Sequence, residues 1–142
     1  MNKINYQKEL DKITAQIGED LPEEQKPHLF LHACCAPCSS YVLEYLIRYF
    51  HITLFFYNPN ITQEEEYQKR IHELTRFVKE AGYEARGQVT LLEGDYDPSC
   101  FFAMAKGMED LPERGQRCYH CYELRMREAA KKAAELHADY FT

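Results

Sequence analysis

No apolar run in the 142-residue chain approaches the about 20 residues that a membrane-spanning helix needs. The opening stretch, MNKINYQKELDKITAQIGEDLPEEQKPH, lacks an apolar signal core and is too acidic to read as a transit sequence. The expectation is a cytoplasmic protein that engages no membrane. Basic charge is also in short supply: 17 Lys and Arg against 23 Asp and Glu leave a net charge of −6. That balance argues against a general nucleic-acid binder, which would carry a basic face. The phosphate-cradling motifs are missing too, with neither G-x-x-x-x-G-K-S/T nor G-x-G-x-x-G present. Their absence decides against an ATP-driven reaction. No internal repeat or low-complexity tract breaks the chain.

What is present is an ordinary globular balance, 45% hydrophobic and 28% charged, with room for one domain and one core. INYQKELDKITAQI sets Ile4, Leu10, Ile13 and Ile17 at loosely helical spacing, an amphipathic helix packed on the domain. The acidic, proline-bearing residues 18–27 read as a linker. The expected division is an N-terminal helix and linker over residues 1–27 and one domain, carrying all six cysteines, over residues 28–142.

HLFLHA reads as a buried first strand, and Ser39 or Ser40 is expected to cap the helix SYVLEYLIRYF. HITLFFY is a second strand, ending in the turn signal NPN. In ITQEEEYQKRIHELTRFVKEAGY, Thr62 and Glu65 have capping-box spacing. Tyr67, Ile71, Leu74 and Val78 share one face there, and Gly82 closes the helix. VTLLEGDYD is a third strand with an acidic exit. SCFFAMAKGMEDL is helical, PERGQR is a loop, and CYHCYELRMREAAKKAAELH is a long helix. ADYFT begins a fourth strand. This alternation predicts an α/β fold, a Rossmann-like parallel sheet with flanking helices. Because the chain stops inside a strand, the domain is expected to be incomplete at its carboxyl end.

In such sheets, sites gather at the carboxyl ends of strands. Cys34, Cys35, Tyr57, Asn58, Asn60 and the acidic residues Asp95 and Asp97 all fall at that edge. Six cysteines in a cytosolic chain point to metal binding or catalysis more than to disulfides. Cys34 and Cys35 are poor partners for each other, since adjacent Cα atoms sit about 3.8 Å apart, below the about 4.4 Å lower bound of a disulfide. Cys34, Cys35 and Cys38 open a helix, whose N-terminal partial positive charge favours the metal-binding thiolate. Cys118 and Cys121 lie three apart on a second helix start and share a face. Together the two groups supply a four-thiolate set, better suited to iron–sulfur than to zinc. Cys100, among aromatics, reads as a buried inert thiol. His32 reads as a core residue or a partner of the ligands, and His120 as solvent-facing. Arg114, Arg117, Arg125 and Arg127 give a local attraction for phosphate.

LHACCAPCSS, FFYNPNI with EEYQKR, DPSCFFAMAKGMEDLPERGQRCYHCYELRM and the closing ADYFT together resemble the cobalamin-independent epoxyqueuosine reductases, over about residues 29–142. The resemblance implies reduction of epoxyqueuosine to queuosine at the wobble position of tRNA. It implies a fold similar to nucleotide hydrolases, a [4Fe–4S] cluster with a nearby iron ion, a tRNA anticodon loop as partner, and an electron donor of unspecified identity. Carried across by motif, Cys34, Cys35, Cys118 and Cys121 are the metal-site ligands. Cys38 stands where some relatives have aspartate, and with Asp97 it is the catalytic candidate. Tyr57, Asn58, Asn60, Arg114 and Arg117 are the expected substrate contacts. Asp97, His32 and Tyr57 stay unranked as proton donors. Two other readings remain open: an iron–sulfur-dependent tRNA thiolation enzyme and a non-enzymatic zinc module.

Overall fold

The computed structural model describes residues 4–142; the first three residues of the N-terminal segment lie outside the described residues. Four strands, β1 (His28–Ala33), β2 (His51–Phe56), β3 (Val89–Glu93) and β4 (Tyr140–Phe141), form one sheet in the order β3-β2-β1-β4. Every pairing is parallel, and β1 runs in step with β2 from His28 opposite His51 to Ala33 opposite Phe56. Successive strands step outward from β1 to β3 and then return to β4 on its other edge. The direction of winding therefore reverses beside β1, where α/β sheets open a crevice at their carboxyl ends.

The period of two along the strands divides the sheet into two faces. Leu29, Leu31, Ala33, Ile52, Leu54 and Phe56 join the larger core, under helices α2 (Ala36–Leu46) and α3 (Glu64–Glu80). Phe30 and Phe55 pack on the other face against Ala129 and Ala133 of α5 (Gln116–Glu135). Each such Phe or Leu, buried from water, contributes about 1.5–3 kcal/mol. The small alanines let α5 approach the sheet closely. Helix α1 (Tyr6–Ile17) rests Leu10 and Ile17 on the larger core, while Ile4 stays exposed.

The predicted apolar face of α3 is the buried one: Tyr67, Ile71, Leu74 and Val78. Its end is a left-handed cap at Gly82 (φ 74°), with Gly82 N–H donating to the Lys79 carbonyl and Tyr83 N–H to that of Val78. Its beginning differs from expectation. Gln63 is the N-cap and no side chain caps it, so Thr62 and Glu65 form no capping box. Helix α2 also starts earlier than Ser39 or Ser40 would allow, because Pro37 fits a first-turn position whose N–H needs no partner. The two serines instead donate back to the carbonyls of Cys35 and Pro37. Residues 18–27 are better tied than a linker: Lys26 bonds Glu23 and the Ile47 carbonyl, with its side chain only 4% exposed. The fourth helix, α4 (Pro98–Ala105), is shorter than its sequence pattern suggested. None of the described helices is long and apolar enough to cross a membrane.

Candidate metal centre

Strand β1 ends at Ala33, and the next residues carry the thiols. Cys35 is the N-cap of α2 in extended conformation (φ −164°, ψ 160°), Ala36 and Pro37 take the first helical positions, and Cys38 follows in the same turn. The turn is held from both sides. Asn58, 1% exposed, donates its side-chain N–H to the Ala33 carbonyl at 2.8 Å, and Ser39 donates to the Cys35 carbonyl at 2.8 Å. One sulfur from each of Cys34, Cys35 and Cys38 therefore lies within 4.8 Å of the others. Three soft donors at that separation fit a thiophilic metal.

The three thiols differ electrostatically. Burial pushes the Cys34 thiol up, and the neighbouring Cys35 adds to the rise. Burial would raise Cys35 as well, but hydrogen bonding from Cys38 and Cys34 prevails and brings it below the usual thiol range. Cys38 is pushed up to about 11 by its bond to Cys35 and then by burial. Of the three, Cys35 is the thiol this geometry favours as thiolate. The Arg70 guanidinium on α3 adds its positive charge to the Cys35 environment.

The second pair stands at the start of α5. Arg114 takes a left-handed conformation (φ 63°), and its backbone N–H donates to the Cys118 sulfur at 3.3 Å. Gly115 is the N-cap, and the Pro112 carbonyl would sit 2.8 Å from any Cβ there. Cys118 is half-buried and Cys121 is buried, with burial pushing the Cys121 thiol up. Arg125, one turn further, acts electrostatically on both groups. Its Nε donates to the Cys121 carbonyl at 3.3 Å, its guanidinium lies 4.9 Å over the Tyr122 ring, and its charge opposes the rise at both Cys34 and Cys121. Cys118 and Cys121 are not within the 4.8 Å group, among the described residues. They line a cavity of about 860 Å³ together with Asn60, Arg114, Arg117 and Arg125.

The expected substrate contacts divide between that cavity and another. Asn60, Arg114 and Arg117 face the first, although Arg117 is tethered by a 2.6 Å bond to the Glu109 carbonyl. Asn58 belongs to the fold beneath the thiol turn, with its side-chain oxygen buried and unpartnered. Tyr57 and Asp97 line a second cavity of about 490 Å³, beside Glu128 and Lys132. Cys100 is there as well, half-buried and not an enclosed core thiol as the aromatics around it suggested. Its sulfur is 3.8 Å from the Tyr57 hydroxyl and donates to the Asp97 carbonyl at 2.9 Å. Hydrogen bonds from Ser99 hold the Asp97 carboxyl below its ordinary range, so it is charged at neutral pH. Burial pushes the Tyr57 phenol up, so it keeps its proton.

His32 lies on the α5 side of β1, its Nε2 2.7 Å from the Tyr57 carbonyl. A carbonyl only accepts, so Nε2 carries the proton; burial lowers the His32 pKa and keeps the ring neutral, leaving Nδ1 an acceptor. His120 is exposed, as expected, 3.8 Å from Glu123. Arg70 and Tyr122 had no sequence cue. Arg70 is far from every cysteine along the chain, and Tyr122 reads as one helix tyrosine among several.

A family model described as "Epoxyqueuosine reductase QueH" matches residues 29–142. The chain is similar to curated proteins carrying that description. With the Streptococcus pyogenes protein it is 40% identical over 140 residues, 98% of this chain and 53% of the relative. With the Staphylococcus epidermidis protein it is 42% identical over 141 residues, 98% and 58% respectively. With the Helicobacter pylori protein it is 38% identical over 117 residues, 80% and 30%. The chain thus spans about half the length of the first two relatives.

Proposed function

The chain belongs to the epoxyqueuosine reductase QueH family, and from that premise we propose that it takes part in reducing epoxyqueuosine to queuosine at the wobble position of tRNA, in the cytoplasm. The observation that carries the reading is the three-thiol group at the end of β1, and a cavity lined by two more thiols and three arginines supports it. Turning an epoxide into an alkene consumes two electrons and two protons and releases one water. Neither a phosphate loop nor a bound nucleotide is needed for that.

In this reading Cys34, Cys35, Cys118 and Cys121 hold a [4Fe–4S] cluster, and Cys38 stays available to a neighbouring iron ion or to the substrate. The donor set fits such a centre: all five sulfurs are free thiols, and Arg125 biases both walls toward thiolate. The chemistry the centre supplies when bound is one-electron transfer and Lewis-acid polarisation of the epoxide oxygen. The chain's own residues bind and orient. Arg114 and Arg117 meet anticodon-loop phosphates, and Tyr122 under Arg125 offers a stacking face to an unpaired base. Tyr57 holds a proton at its hydroxyl, whereas Asp97, already charged, serves as an acceptor. Electrons come singly from an external donor.

The test is the nucleoside content of tRNA from cells that lack this gene and hold no second reductase. Epoxyqueuosine should accumulate at the wobble position, and re-expression of the protein should convert it. Full queuosine in the deletion strain removes the assignment.

A further inference from the structure

Cys35-Ala36-Pro37-Cys38 is a C-x-x-C step laid over the first turn of α2. A residue at the N-cap turns its side chain back toward the third helical position, which Cys38 occupies here. The two sulfurs belong to the group lying within 4.8 Å of one another. Cys34 is a poor partner for Cys35, because their Cα atoms are about 3.8 Å apart, too close for a relaxed disulfide. Its sulfur also lies within 4.8 Å of that of Cys38, but it stands outside the pairing of N-cap with third helical position in α2. Cys38 is exposed, so a small solute reaches the pair from solvent. Beneath it the backbone is fixed, since the Ala33 and Cys35 carbonyls are both engaged. Closing the pair therefore asks for side-chain rotation and leaves the strand end in place.

We propose that Cys35 and Cys38 are a redox-modification site: without metal they close to a disulfide by exchange with a low-molecular-weight disulfide, and the closed pair does not take up metal. The inference is independent of the reductase reading, because it needs only the two thiols and an exchange partner. One cysteine thiolate attacks the small disulfide, forming a mixed disulfide and releasing one small thiol. The neighbouring thiolate then displaces the second small thiol and closes the ring. Two protein thiols are oxidised to one disulfide, one small disulfide is reduced to two thiols, and excess small thiol reverses the exchange. Closure removes two of the three donors in the group, since a disulfide sulfur is no longer a thiolate.

The experiment treats the full chain, reduced and freed of metal, with oxidised glutathione. It then reads free thiols, intact mass and linked peptides. Two of the six thiols should disappear, with Cys35 linked to Cys38 and no glutathione retained. Cys34→Ser should still close the same pair. Cys35→Ser and Cys38→Ser should each stop at the mixed disulfide and keep one glutathione. Zn²⁺, used as the probe metal, should bind the oxidised chain about tenfold or more weaker than the reduced one, with recovery after reduction. Six remaining thiols, a bridge through Cys34, Cys118 or Cys121, or unchanged Zn²⁺ uptake after oxidation overturns the proposal. Circular dichroism of each serine variant confirms that the readings come from folded protein.

Discussion

Helices α2 and α5 both begin with a C-x-x-C pair, yet the two pairs are set differently into their turns. In α2 the first cysteine is itself the N-cap, and the second is exposed one turn on. In α5 the N-cap is Gly115, so Cys118 sits at the third helical position and Cys121 a turn deeper, where it is buried. The phase of the helix decides the chemistry of equal spacing. Cys35 is drawn below the ordinary thiol range by its neighbours, while burial pushes Cys121 above it. The thiol favoured toward thiolate in α2 is the N-cap cysteine itself, whereas in α5 the deeper cysteine is the disfavoured one.

The largest expected effect comes from removing a donor. Cys35→Ala should weaken metal binding by more than about 100-fold, beyond the usual loss from a ligand's supporting partner. Cys100→Ala should leave metal content unchanged, because Cys100 bonds Tyr57 and Asp97 in the other cavity. Equal loss in both variants, read by metal analysis of protein kept free of oxygen, would erase the distinction between the cavities.

The two helix starts should also differ in tolerance. Gly115→Ala places a methyl 2.8 Å from the Pro112 carbonyl and should cost about 1–3 kcal/mol through overpacking. Pro37→Ala keeps the α2 turn and should cost about 0.4–1 kcal/mol, through a less restricted unfolded chain. Denaturant melts of both variants measure the gap, and a costlier Pro37 variant would reverse the reading of which turn is tighter.

Arg125→Gln should shift the alkylation of Cys34 and Cys121 to higher pH in metal-free protein. The arginine's charge lowers both thiols, so its loss raises them and leaves less thiolate at any given pH. Cys35, which owes its lowered pKa to Cys38 and Cys34, should move least. Mass-spectrometric labelling across pH gives the three profiles, and a matching shift at Cys35 would show that Arg125 acts on the whole group alike.

The smallest effect concerns acid. Burial lowers the pKa of His28 and His32 below the unfolded value of 6.5. As pH falls through that value the unfolded chain takes the protons first, so stability declines below it and is full above it. His32→Gln should flatten that decline in melts at stepped pH, and an unchanged slope would remove His32 from the effect.

Much of this was legible in the residues themselves. HLFLHA and HITLFF are short, largely apolar runs, as strands covered on both faces must be, and β1 and β2 occupy those residues. The α3 stripe was equally plain, since a 3.6-residue period survives any uncertainty about the ends. Helix starts were less legible, because several polar residues near each one could cap and the backbone chooses among them. Thr62 and Glu65 had the spacing of a capping box, but the helix opens at Glu64. Arg70 was invisible because only the packing of α3 against α2 brings its charge to bear on the thiols. Asn58 was legible as part of a turn, but its grip on the Ala33 carbonyl depends on strand pairing. Cys100 looked like core because its neighbours Phe101 and Phe102 are aromatic, yet Phe102 is 59% exposed.

In the proposed function, thiols from the α2 and α5 starts serve one iron centre. The most direct test is iron and sulfide content, with low-temperature electron paramagnetic resonance, on oxygen-free wild type, Cys34→Ala and Cys121→Ala proteins reconstituted in parallel. A shared centre predicts a reducible cluster signal in wild type and its loss in both variants. A cluster of unchanged signal and stoichiometry in Cys121→Ala protein, with loss only in Cys34→Ala, would contradict it.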